Sequence, residues 1–177
     1  QRLFVADELG ALYVYDVDDG TLLDVFAPGL GPIPAMATAR GSLFVGTQDG
    51  RVVRLDPATG ANTGERVLPA GVRAMVVFGG KIVVATADGA FYRASFEVGQ
   101  FSYFTCFCFF NVQDMVIADG GLVVVDESGL VGLVRYVDGQ ILSAFSAGST
   151  NSMAALEGEL QFYYATGLGG LITRFDA

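Results

Sequence analysis

The 177-residue sequence contains no histidine and no tryptophan, only two cysteines, and a single lysine, Lys81. Without imidazole there is no Ser-His-Asp constellation, no histidine general base and no nitrogen ligand for a metal. With one lysine and no Cys-x-x-Cys spacing, a lysine nucleophile and a thiolate zinc site are poor prospects. Carboxylate, hydroxyl and backbone chemistry remain, so no cofactor is expected, and a resident metal would be a hard cation such as calcium. Charged residues are few, 16%, and weighted to acid, giving a net charge of −9. Such a surface repels phosphate backbones, so nucleic acid is not an expected partner. No apolar run reaches the roughly 18 residues of a membrane-spanning helix. Cys106 and Cys108 stand two apart in an extended stretch with no third cysteine; that spacing suits small buried hydrophobes better than a disulfide.

What is present is apolar and rich in turns: 52% hydrophobic residues in short segments, punctuated by 24 glycines. Disorder is excluded, because there is ample apolar surface to offset the entropy of ordering. All four methionines, Met36, Met75, Met115 and Met153, occupy one position of a repeating frame, 39, 40 and 38 residues apart. Seven residues after each comes an aliphatic anchor, Leu43, Ile82, Leu122 and Leu160, and Leu3 holds the same place one repeat earlier. Seven residues past each anchor is a glycine, Gly10, Gly50, Gly89, Gly129 and Gly167, with a second glycine ten further on at Gly20, Gly60, Gly99 and Gly139. The repeats run over about 2–40, 41–79, 80–119 and 120–159, with a partial one at 160–177.

Each repeat reads as four short strands. In the second, LFVGT, RVVRLD, NTGERVL and RAMVVF are separated by QDG, DPATG and PAG, turn sequences with Gly, Pro and Asp where tight turns favour them. No long segment has helical periodicity. A four-strand unit of about forty residues is the period of a propeller blade, so the expected fold is an all-β propeller of about four and a half blades.

The stretch 41–67, with VGTQDG at 45–50, Val52, and LDPATG at 55–60, resembles the repeats of quinoprotein-like (PQQ-like) propellers; YDVDDGT at 15–21 is a weaker copy. Those repeats place Trp after the Thr-Gly turn to lock neighbouring blades, and here Arg66 stands near that position. The Trp-Asp dipeptide of WD40 blades is missing as well. The resemblance implies an extracellular or periplasmic setting and supports the fold far more than any activity.

If Met marks the innermost strand, the chain opens on the second strand of a blade and closes on a third, with 18 strands in groups of three, four, four, four and three. The ends do not complete one blade. Either these residues are part of a longer propeller, or the open edges pair with another chain or another copy. The start at Gln1 without a signal-peptide pattern is consistent with processing, trimming or cropping.

Two sets of residues are candidate sites. Asp7, Glu8, Asp49, Asp88, Asp126 and Glu127 fall in the turn after the second strand, on the face that also carries the connections between blades. They form an expected acidic rim for cations or a basic partner, although Asp beside Gly is also what a tight hairpin favours. Phe101, Tyr103, Phe104, Phe107, Phe109 and Phe110 make one outer strand aromatic on both faces, suited to a partner patch or to packing between blades. A third irregularity is the turn at 166–170, which looks three residues longer than its counterparts. The leading functional expectation is a non-catalytic module for protein binding and assembly. The alternative is a propeller domain of a larger quinoprotein-type oxidoreductase or metal-dependent hydrolase, and a third reading is a spacer in a surface protein.

Overall fold

The computed structural model describes residues 1–106, 111–118, 121–146, 150–155, 161–166 and 172–176. Within them the chain forms antiparallel sheets in sequence order, as a propeller requires. The first holds β1 (Arg2–Ala6), β2 (Leu12–Asp16) and β3 (Leu22–Phe26). The second holds β4 (Ala35–Ala39), β5 (Ser42–Gly46), β6 (Arg51–Leu55) and β7 (Asn62–Val67). The third holds β8 (Val72–Phe78), β9 (Lys81–Thr86), β10 (Ala90–Ala94) and β11 (Ser102–Cys106). The fourth holds β12 (Val112–Ala118), β13 (Gly121–Asp126), β14 (Leu130–Arg135) and β15 (Ile141–Ser146). The fifth holds β16 (Thr150–Ala155), β17 (Gln161–Thr166) and β18 (Ile172–Asp176). The expected grouping of strands, three, four, four, four and three, is the one observed.

Every methionine lies on an inner strand, across from Val45, Val84, Val124 and Tyr164. The second strand of each internal blade is sandwiched between two neighbours, which is why it is apolar without alternation. Leu43, Phe44 and Val45 are at most 1% exposed, and Ile82, Val83, Val84 and Ala85 are fully buried. Each face has its own neighbour. Leu43 and Val45 join Leu12, Val14 and Phe26 at the first junction, whereas Phe44 joins Val52, Ile82 and Val84 at the second. Val83 and Ala85 then join Phe91, Leu122 and Val124 at the third. The anchor and the residue two beyond it face the preceding blade; the residues between face the next. Burying one such side chain contributes about 1.5–3 kcal/mol.

The first-turn glycines are required by backbone shape. Gly10, Gly50, Gly89 and Gly129 have φ of 84°, 91°, 78° and 79°, a left-handed region open to glycine at no steric cost. At the second turn Gly20, Gly60 and Gly139 are also left-handed, but in the third blade Val98, with φ 49°, takes that conformation in place of Gly99. The fifth blade corrects a second expectation. Ala155 pairs with Phe162 where the other blades pair Thr38 with Leu43, Val77 with Ile82 and Ile117 with Leu122. The connection between β16 and β17 is therefore two residues longer, and Phe162 holds the place expected for Leu160. Between β17 and β18 the closing pair is Ala165 with Ile172, one residue wider than Gly46 with Val52. The three additional residues are thus divided between two turns. Leu160, Gly167 and Cys108 lie outside the described residues.

Candidate functional site

The hairpins after each second strand are built from two turn chemistries. Asp7 and Asp126 begin their turns. The Asp7 carboxylate accepts the N–H groups of Leu9 and Ala11, both at 2.9 Å, and the Tyr13 hydroxyl at 3.3 Å. The Asp126 carboxylate accepts the N–H groups of Ser128 and Leu130 at 2.9 and 2.8 Å and the Ser128 hydroxyl at 2.7 Å. In the second and third blades threonine begins the turn and the carboxylate comes two residues later: Thr47 donates to Asp49, and Thr86 donates to Asp88 at 2.6 Å. These four carboxylates therefore close hairpins that leave backbone donors needing acceptors. The N–H of Ala11 is the largest influence holding the Asp7 carboxyl below its ordinary range, against a smaller desolvation effect.

The six residues do not form one exposed rim. Asp126 is only 5% exposed, its carboxylate folded into its own turn, whereas Glu8, Asp49, Asp88 and Glu127 face solvent. Among the described residues no three His, Cys, Asp or Glu side chains converge as a metal site would need.

The hairpins sit close against the connections between blades. Leu68 donates its N–H to Gly50 O at 2.8 Å, Val72 to Thr47 O at 2.9 Å, and Gln48 to Pro32 O at 3.1 Å. Where these segments converge on the inner strands there are two adjoining cavities. One, about 450 Å³, is lined by Asp7, Glu8, Pro32, Pro34, Gln48 and Arg73 among others. The other, about 330 Å³, reaches Met36, Met75, Gln113 and Asp114 and shares Pro34 and Arg73 with the first.

Arg73 and Gln113 reach this place through a repeated backbone irregularity. Val72 pairs with Thr86 and Ala74 with Ala85, leaving Arg73 as the additional residue of a β-bulge. In the next blade Val112 pairs with Asp126 and Asp114 with Val125, leaving Gln113 as the additional residue. A bulge bends its strand and re-aims the side chain it frees. Neither residue was singled out from the sequence. The position two before Met is held by Pro34, Arg73, Gln113 and Asn151, with no common type to mark it.

The aromatic strand separates into two environments. Phe101 packs with Tyr92 at the edge of the junction between the second and third blades. Phe104, the additional residue of a bulge in β11, packs with Tyr136 at the next junction, under the Arg93 guanidinium 4.7 Å from its ring centre. Tyr103 is 60% exposed, its ring set edge-on to Tyr92 at 6.0 Å. Phe107, Phe109 and Phe110 lie outside the described residues. Packing between blades therefore accounts for Phe101 and Phe104.

In the first three blades the place six residues after the second glycine locks onto the next blade. A side chain on Gly60 would come within 2.5 Å of the Phe26 ring, so the glycine makes the space that Phe26 fills. The counterparts of Phe26 are Arg66 and Thr105. Arg66 donates to Gly99 O at 2.6 Å, and Thr105 to Gly139 O at 3.1 Å. Arg66 thus stands near the expected tryptophan position and makes the inter-blade link with a polar group.

Comparison with known structures gives the same architecture. A chain in a crystal structure of a mitotic checkpoint complex superposes with a TM-score of 0.80 at 14% identity, over 99% of this chain and 59% of that one. The β-propeller domain of Myceliophteria thermophila Cps50 (Swd1) gives 0.74 at 11% identity, over 94% and 59%. The computationally designed Ika8 protein gives 0.77 at 14% identity, over 99% and 55%. The chain spans little more than half the length of these structures. No curated protein matches the sequence. The DegT/DnrJ/EryC1/StrS aminotransferase family matches residues 84–155, less than half of the chain and wholly within the propeller sheets, so it says nothing about activity. The family of the outer membrane protein assembly factor BamB matches residues 9–103, more than half of the chain and the blades that carry the repeat most clearly; the chain belongs to this family of PQQ-like repeat β-propellers.

Proposed function

We propose that the chain is a protein-binding and assembly module whose outward first blade is a docking face for a further β-sheet. One comparison carries this reading. Leu3 and Val5 occupy the frame positions of Leu43 and Val45, of Ile82 and Val84, and of Leu122 and Val124. Those six are at most 2% exposed, each pair pressed against the preceding blade, whereas Leu3 is 52% exposed and Val5 41%. Leu22 and Val25 extend the same apolar surface at 51% and 46%. The first sheet therefore presents on its outward face the residue types that the other junctions bury. A patch of that kind on a protein surface marks an interaction site.

The test is light scattering on the 177-residue chain over a range of concentrations, beside a Leu3→Glu, Val5→Glu variant. The expected result is concentration-dependent association that the variant abolishes while keeping its thermal midpoint. A chain that stays monomeric at high concentration, or a variant that associates as before, overturns the reading.

A further inference from the structure

Beyond the docking face of the first blade, the two adjoining cavities share an arginine that has no partner among the described residues. Eight arginines have described side chains, and seven of them are engaged. Arg51, Arg54 and Arg135 form ion pairs with Glu65, Glu97 and Asp138. Arg2 and Arg66 donate to the carbonyls of Pro57 and Gly99. Arg40 and Arg93 lie over the rings of Phe96 and Phe104. Arg73 has none of these partners among the described residues, and its side chain is exposed where the two cavities meet.

A second polar group waits beside it. Gln113 lines the smaller cavity, and its Oε1 is turned inward, buried without a hydrogen-bond donor among the described residues. A buried acceptor without a donor destabilises the fold, so it is retained where something else supplies the donor. Both side chains are placed by bulges at equivalent points of neighbouring inner strands, a device that recurs next to binding sites. The walls between them include Pro32, Pro34 and Val72, which offer apolar contact and few rotatable bonds.

We infer that the two adjoining cavities bind an extended segment of a partner protein through one acidic side chain, with Arg73 pairing to its carboxylate and the Gln113 side chain rotating to offer its Oε1 to a neighbouring N–H. Guanidinium and carboxylate match geometrically and form charge-assisted hydrogen bonds. The net charge of −9 and the nearby Asp7 and Glu8 select against polyanions, so a single acid among neutral or apolar neighbours is the class that fits. The cavities, about 450 and 330 Å³, lie in the range of pockets that hold small ligands or a few residues of a peptide.

The probe is a displayed library of random heptapeptides selected against the chain and, separately, against Arg73→Met. The expected result is enrichment of peptides with Asp or Glu at one fixed position, absent from the selection on Arg73→Met. The best peptide should lose tenfold or more in affinity with Arg73→Met, and equally when its own acid becomes the amide. Gln113→Leu should weaken it several-fold. Arg73 is exposed, so its variant should melt with the parent protein, which separates lost recognition from lost fold. The Leu3→Glu, Val5→Glu variant should bind the peptide unchanged, which keeps this site distinct from the docking face. Enriched peptides without an acid, the same peptides selected on Arg73→Met, or displacement by millimolar inorganic phosphate alone would each overturn the assignment.

Discussion

Alanine at Gly50 and at Gly80 separates the cost of a left-handed backbone from the cost of crowding. Gly50 has φ 91°, and a Cβ there would stand 2.8 Å from Ala70 O and 2.9 Å from Leu68 O, both backbone atoms of the connection between blades. Gly80 has φ 75° and nothing within 4 Å of where its Cβ would be. Left-handed backbone costs a non-glycine residue about 1–2 kcal/mol. Restricting the unfolded chain returns about 0.4–1 kcal/mol of that. Gly80→Ala should therefore cost no more than about 1.6 kcal/mol. Gly50→Ala must in addition part the hairpin from the connection, straining the hydrogen bond from Leu68 N–H to Gly50 O, 2.8 Å long. Overpacking of this kind adds about 1–3 kcal/mol to the same backbone cost. At roughly 2–4 °C per kcal/mol for a domain of this size, the midpoint should fall at most about 6 °C for Gly80→Ala and about 2–12 °C further for Gly50→Ala. Circular dichroism melts at matched concentration measure both. Equal shifts would refute the close approach of hairpin and connection, and with it the placement of the two adjoining cavities.

Three further outcomes are expected. Leu43→Ala should cost about 3 kcal/mol in a urea titration, because the side chain is 1% exposed in a blade junction; Leu3→Ala, at the same frame position but 52% exposed, should cost under about 1 kcal/mol in dilute protein. Asp126→Ala removes an acceptor of three hydrogen bonds from a buried turn and should cost about 2–3 kcal/mol, whereas the exposed neighbour Glu127→Ala should stay within about 0.5 kcal/mol. Asp7, with Ala11 N–H as the chief cause, and Glu65, with Arg51 as the chief cause, both have carboxyls held below their ordinary values of 3.8 and 4.5. A depressed folded value adds stability above the ordinary value and loses it as the pH falls through the folded one. Stability should therefore decline with acid below about pH 4.5, and Asp7→Asn should flatten the acid limb of the titration.

Much of the fold was legible because the repeat is local chemistry written several times. Met on the inner strand, an aliphatic anchor on the second and glycine at the first turn are each demanded by a short-range need: burial on both faces, or a positive φ. Those needs recur every blade, so the period, the strand grouping and the left-handed glycines could be read without coordinates. The resemblance to PQQ-like repeats added a family. The extra length in the last blade was also visible, although its division between two turns was not, since only strand pairing shows which residues face each other.

The site was less legible, because what distinguishes it is not composition. Asp7, Asp49, Asp88 and Asp126 stood out as acids, yet their hydrogen bonds show them closing hairpins, with Asp126 buried in the act. Arg73 and Gln113 carried no mark, because a β-bulge is a property of two paired strands and cannot be seen in one. Arg66 and Thr105 likewise acquire their role only from the glycine of the following blade. The sequence alone determined the propeller, its period and the position of its turns, since these depend on each residue's preference for burial or for a positive φ. Tertiary structure alone decided which anchors are covered, which acids are engaged and which arginine among the described residues is left without a partner, because each of those depends on what a neighbouring blade brings against it.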